Sequence, residues 1–167
     1  PVPPPQPGIR VQNNRFINDG WGLQVWRSSS LSGDVAIMSA AGGRTSAWIL
    51  DNVFAGKEFG VCLSSRDSFV NIINNSFQNC EKAIGTDRFD TMFDLIISHN
   101  KIEEATTGIV LGPGYITVSN NTISNCTEYG IHSSLDDPSP SMASITGNRI
   151  TRCSRGAWLS NLQCEFS

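Results

Sequence analysis

No run of apolar residues in this sequence approaches the roughly 18 that a membrane-spanning helix needs, so no crossing of that kind is expected. Basic clusters are also missing. Lys and Arg together number 12 and the formal net charge is -3, which argues against a dedicated binder of nucleic acid or of an anionic membrane surface. A neutral or polar partner fits the charge better. Metal-ligand spacings are absent: there are 2 His, and none of the five cysteines (Cys62, Cys80, Cys126, Cys153, Cys164) forms a C-x-x-C pair. No metal and no cofactor is implied. An odd number of cysteines cannot all pair within one chain, so reduced thiols are the default expectation, and this favours assembly in a reducing compartment. The start of the chain, Pro1 to Gly8, lacks the basic start and apolar middle of a signal peptide. It reads as a Pro-rich linker or polyproline arm, and a chain opening in this way reads as a piece of something longer.

What the sequence does have is repetition. Six segments align on Asn14, Asn52, Asn75, Asn100, Asn121 and Asn148. Five places before each Asn stand Ile9, Ala47, Val70, Leu95, Ile116 and Ala143; three places before stand Val11, Ile49, Ile72, Ile97, Val118 and Ile145. That alternation is a strand with one buried face. Two places after each Asn come Phe16, Phe54, Phe77, Ile102, Ile123 and Ile150, which begin a second extended segment. Eight places after, or nine in one repeat, a Gly or Ala (Gly22, Gly60, Ala83, Gly108, Gly130, Gly156) opens a third strand.

Three short strands in repeats of little more than 20 residues leave no room for helices between them. Coiling satisfies the pattern: each repeat lays its strands in parallel on those of the preceding one, about 4.8 Å away, and like residues stack into ladders. The expected fold is therefore all-β, a single-stranded right-handed parallel β-helix of about six coils, its hand following from the chirality of parallel crossovers. Residues 9–160 form the β-helix, preceded by the arm 1–8 and followed by a tail or cap over 161–167. The six Asn are read as a structural amide ladder at a bend. The repeated Gly suits a corner that needs positive φ or a close backbone approach. Cys126 and Cys153 fall on adjacent coils at equivalent places, where stacked side chains seldom present the torsion of a disulfide.

Subtracting the repeat leaves insertions after the third strand of successive coils, over 27–46, 64–68, 86–94, 112–114 and 133–142. Loops at one angular position of a solenoid build one rim, and binding groups on a rigid scaffold tend to sit there. The rim carries Asp87, Arg88 and Asp90 as candidate catalytic groups, with Arg66, Asp67, Phe89, His132, Asp136 and Asp137 as candidate substrate contacts. Carboxylates, Arg and His are the groups that hydrolyse glycosidic bonds or take a proton beside a uronate. A solvated charged face is the competing reading. His99, beside Asn100, is assigned to the turn. Trp21, Trp26, Trp48 and Trp158 lie outside the main ladders, where indoles either stack on sugar faces or cover loops and ends.

The pattern I-x-V-x-x-N-x-I-x(5)-G-I-x-L, nearly whole in ITVSNNTISNCTEYGI (Ile116 to Ile131) and LIISHNKIEEATTGIVL (Leu95 to Leu111), resembles the right-handed parallel β-helix repeat of the pectate-lyase-like superfamily. The resemblance spans about residues 9–160. It implies a polysaccharide partner, and an extracellular, cell-surface or virion setting that the cysteine count opposes. The superfamily holds lyases, hydrolases, epimerases, tailspikes, adhesins and intracellular recognition modules. Its enzyme motifs are missing here: no N-T-D with D-D and G-H-G, and no D-P-H-D, of which Asp136-Asp137-Pro138 is a partial echo. The expected function is accordingly a recognition or structural module contacting polysaccharide along a loop-lined groove, monomeric as a fragment or homotrimeric as in tailspikes. A polysaccharide lyase, glycoside hydrolase or epimerase is the alternative, and an intracellular protein-interaction module the second.

Overall fold

The structure is a computed structural model, described here for residues 9–17, 23–25, 35–39, 46–63, 68–86, 93–134, 142–160 and 163–167. Every element among them is a strand. The first repeat gives β1 (Ile9–Gln12), β2 (Arg15–Ile17) and β3 (Leu23–Val25), and β4 (Val35–Ser39) follows. The second gives β5 (Ser46–Leu50), β6 (Val53–Ala55) and β7 (Phe59–Leu63); the third gives β8 (Ser68–Ile73), β9 (Ser76–Gln78) and β10 (Lys82–Thr86). Then come β11 (Phe93–Ser98), β12 (Lys101–Glu103) and β13 (Thr107–Val110), and after them β14 (Gly114–Ser119), β15 (Thr122–Ser124) and β16 (Tyr129–Ser134). The sixth repeat holds β17 (Met142–Thr146), β18 (Arg149–Thr151) and β19 (Arg155–Ser160), and β20 (Gln163–Phe166) closes the series.

Among the described residues all pairing is parallel, and apart from β4 it joins equivalent strands of successive repeats. The first sheet runs β1-β5-β8-β11-β14-β17-β20, the second β2-β6-β9-β12-β15-β18, and the third β3-β4-β7-β10-β13-β16-β19. Register follows the sequence alignment residue for residue: Ile49 pairs with Ile72, Ile72 with Ile97, and Ile97 with Val118. These inward positions fill a continuous apolar bore. Phe16, Phe54 and Phe77 stack along it nearly face to face, with centroids 5.2 Å and then 4.7 Å apart.

The side chains of Asn52, Asn75, Asn100 and Asn121, inside the ladder, both donate and accept hydrogen bonds. Asn75 Nδ2 donates to Asn100 Oδ1 (3.0 Å) and back to the Ile49 carbonyl (2.9 Å), while its backbone N–H also donates to Asn100 Oδ1 (2.9 Å). The same three bonds recur from Asn52 and Asn121. A buried amide with every donor and acceptor used is stabilising where an unpaired one would cost dearly.

The bend itself lies one residue earlier than the sequence suggests. Asn13, Asp51, Asn74, His99 and Asn120 hold φ between 55° and 60°, and Gly147 takes the sixth place at 63°. Asn, Asp, His and Gly are the residue types that tolerate this left-handed conformation best. His99 thus serves the turn. A second left-handed corner follows the second strand at Gly56, Asn79, Glu104, Asn125 and Arg152. The repeated Gly at the third strand needs close approach rather than positive φ: a Cβ on Gly130 would lie 2.6 Å from the Gly156 carbonyl oxygen and 2.6 Å from Ile150 Cγ2.

Two further differences concern extra strands. The stretch 27–46, expected as a loop insertion, contains β4, which sits between β3 and β7 and places Ile37 in the ladder between Leu23 and Val61. At the other end, β20 lies on β17 as a seventh strand of the first sheet, with Cys164 against Ala143. The arm 1–8 lies outside the described residues. None of the five cysteines is in a disulfide. Burial pushes the Cys126 thiol up, and the neighbouring Cys153 thiol adds to the effect.

Candidate functional site

Of the rim residues singled out from the sequence, Arg66, Asp67, Asp87, Arg88, Phe89, Asp90, Asp136 and Asp137 lie outside the described residues. Trp21 and Trp26 do too. His132 is described, and it stands apart from the first sheet. It lies on β16, half-buried, with its ring stacked on Tyr129 at 4.4 Å. Burial pulls its pKa below the ordinary 6.5, and the Glu128 carboxylate partly opposes this.

The described face that adjoins the predicted rim is the outer face of the first sheet. Strands β8, β11, β14 and β17 each emerge directly from one of the predicted insertions, and each points a side chain outward at the place six before its ladder Asn. Register aligns these residues in one row: Phe69 against Asp94, Asp94 against Tyr115, Tyr115 against Met142, and Met142 against Gln163. Phe69 is 46% exposed, Tyr115 56% and Met142 50%. A second outward row, four before the Asn, passes through Arg10, Trp48, Asn71, Ile96, Thr117, Ser144 and Glu165. Between the rows from Phe69 to Glu165 lies a shallow groove of about 550 Å³.

Large apolar side chains on an outward row are unexpected, because strand alternation calls for polar residues there. Phe69, Tyr115 and Met142 therefore make this face the candidate contact surface. Sequence reading passed over them because it followed the inward positions. The signal was nonetheless available as Phe69, Tyr115 and Met142, each one place before the aligned positions of its repeat.

The groove's chemistry is that of a stacking platform with polar edges. Phe69 and Tyr115 are two coils apart, about 9.6 Å along the stack, with the Asp94 carboxylate between them. The other carboxylate in the groove, Glu165, is three coils from Asp94, about 14 Å. Paired acids that cleave glycosidic bonds stand about 5 to 9.5 Å apart, so Asp94 and Glu165 do not form such a pair. Among the described residues no group of three His, Cys, Asp or Glu side chains is placed to hold a metal ion.

Residues 10–161 match the family model described as a right handed beta helix region. The chain belongs to the right-handed β-helix family. Comparisons with curated proteins and with solved structures gave no match. The family accounts for the parallel stack, for the hand of the coil and for the ladders of this β-helix, and it leaves the groove's ligand to be argued from the groove itself.

Proposed function

We propose that this β-helix is a recognition module that holds a polysaccharide along the outer face of its first sheet. The observation that carries the reading is the row of Phe69, Tyr115 and Met142, half-exposed on a face that a parallel sheet of this kind would otherwise present as polar. An extended ligand suits an extended groove. The aromatic faces take the C–H side of sugar rings, while Asp94, Thr117, Ser144 and Gln163 offer hydrogen-bond partners to hydroxyl groups.

A polysaccharide lyase, hydrolase or epimerase is the second reading, favoured only by the acidic loop residues Asp87 and Asp90. The distance between Asp94 and Glu165 speaks for binding without turnover. A glycan array combined with a polysaccharide-degradation screen separates the two, run on the parent beside Tyr115→Ala, Asp87→Ala and Asp90→Ala. Binding without degradation, weakened about tenfold in Tyr115→Ala, is the expected result. Degradation abolished by either Asp substitution would establish the enzyme instead. Binding to no glycan would overturn the carbohydrate reading, and a trimer by sedimentation would then make the apolar row a subunit interface.

A further inference from the structure

The second corner of the coil stacks cysteines. Cys80, Cys126 and Cys153 each stand five places after a ladder Asn, with Ala105 at the same place on the coil between Cys80 and Cys126. A left-handed residue precedes each of them, Asn79 at φ 53°, Asn125 at 58° and Arg152 at 55°, and the side chain that follows it enters the apolar core. Cys126 is 2% exposed, whereas Cys153 is half-buried.

Cys126 and Cys153 are direct neighbours in that row. The strands in front of them pair in register, Ser124 with Thr151, and the Ser154 N–H donates to the Cys126 carbonyl (3.1 Å). Their side chains run the same way: Cys126 Sγ donates to the Ser124 carbonyl (4.0 Å) and Cys153 Sγ to the Thr151 carbonyl (3.5 Å), each two residues back on its own coil. Side chains aligned in this manner hold their sulfurs about one coil spacing apart, roughly 4.8 Å. A disulfide closes that gap to about 2.05 Å, which would pull both thiols away from their carbonyls. An ion held in line between the sulfurs needs far less movement, because two metal–sulfur bonds of about 2.3 Å together span about 4.6 Å.

We infer that Cys126 and Cys153 hold one Cu(I) ion between them in linear two-coordinate geometry. Thiolate sulfur selects this soft cation, and two donors in line complete its shell, where structural Zn(II) takes four. Among the described residues no third His, Cys, Asp or Glu joins the pair, and Ala105 keeps Cys80 two coils from Cys126, about 9.6 Å. Binding replaces two S–H bonds by two S–Cu bonds and releases two protons, leaving a bis-thiolate complex of single negative charge. Burial, and then the Cys153 thiol, keep Cys126 protonated without the ion, against backbone hydrogen bonds from Ala105 and Gly108 that favour the thiolate. The cation supplies the missing compensation, and the half-buried Cys153 is the side from which it enters. Sequence spacing conceals this pair, since stacking of the coils is what brings the two thiols together.

The test is anaerobic titration of the reduced protein with Cu(I) supplied as its acetonitrile complex. The protein should retain one copper per chain through desalting, with an ultraviolet sulfur-to-copper charge-transfer band, and X-ray absorption should show two sulfur neighbours. Cys153→Ser, at the half-buried position, should keep the fold by circular dichroism and lose the copper, as should Cys126→Ser. Cys80→Ser and Cys164→Ser should each retain it. Zn(II) offered to the parent should be removed by the same desalting step. No copper on the folded parent, copper bound by other than two sulfurs, copper kept by folded Cys153→Ser, or Zn(II) retained through Cys126 and Cys153 would each overturn the inference.

Discussion

At the scale of single residues, the fold rests on one amide per coil. Replacing Asn100 by Ala strips acceptors from the Asn75 N–H and Nδ2, and removes donors from Asn121 Oδ1 and the Ile72 carbonyl, all within the packed stack. With each orphaned buried group costing on the order of 1 to 3 kcal/mol, Asn100→Ala should lose about 4 kcal/mol in urea unfolding. The glycines give a sharper contrast. Gly130→Ala forces a Cβ to within 2.6 Å of backbone and side-chain atoms of the next coil and should cost about 2 kcal/mol. Gly156 meets nothing within 4 Å, so Gly156→Ala should be neutral or stabilise by up to about 1 kcal/mol in the same unfolding experiment. The ladder was legible in the sequence because it repeats. The residue that bends was not, because Asn13, Asp51, Asn74, His99, Asn120 and Gly147 share a backbone conformation rather than an identity.

At the scale of elements, strands and register could be read from apolar alternation alone, since a one-residue slip would turn every inward side chain outward. Strand β4 escaped because no ladder Asn accompanies it, and its pairing with β3 and β7 depends on neighbours far along the chain. The spacing of nine before β16 was visible in the sequence, and in the structure it is a β-bulge, where the N–H groups of Glu128 and Tyr129 both donate to the Thr106 carbonyl. His132 on β16 carries a pH dependence. Its folded pKa lies below 6.5, so the unfolded chain binds more protons as the medium acidifies. Its contribution is complete above 6.5 and is lost as pH falls through the lower folded value. Thermal melts at descending pH should show the parent losing stability below 6.5, and His132→Gln, which leaves Glu128 and Arg155 in place, losing less over the same interval. Equal losses in both proteins would show that other groups carry the effect.

At the scale of the whole molecule, the repeat builds a scaffold, and the proposed recognition surface lies on the outward side of its first sheet. The rim inferred from insertions stands beside a face whose outward apolar row became apparent only when equivalent strands were stacked. Charged loop residues drew attention in the sequence because their chemistry is explicit, whereas Phe69, Tyr115 and Met142 look like ordinary core until their direction is known. The most direct test is calorimetric titration of an array-selected polysaccharide into the parent and into a Phe69→Ser, Tyr115→Ser double variant, with circular dichroism as the check on folding. Both positions face outward, so the variant should fold as the parent does and bind about a hundredfold more weakly. Unchanged affinity in a folded double variant would contradict the assignment of the first-sheet face as the polysaccharide groove.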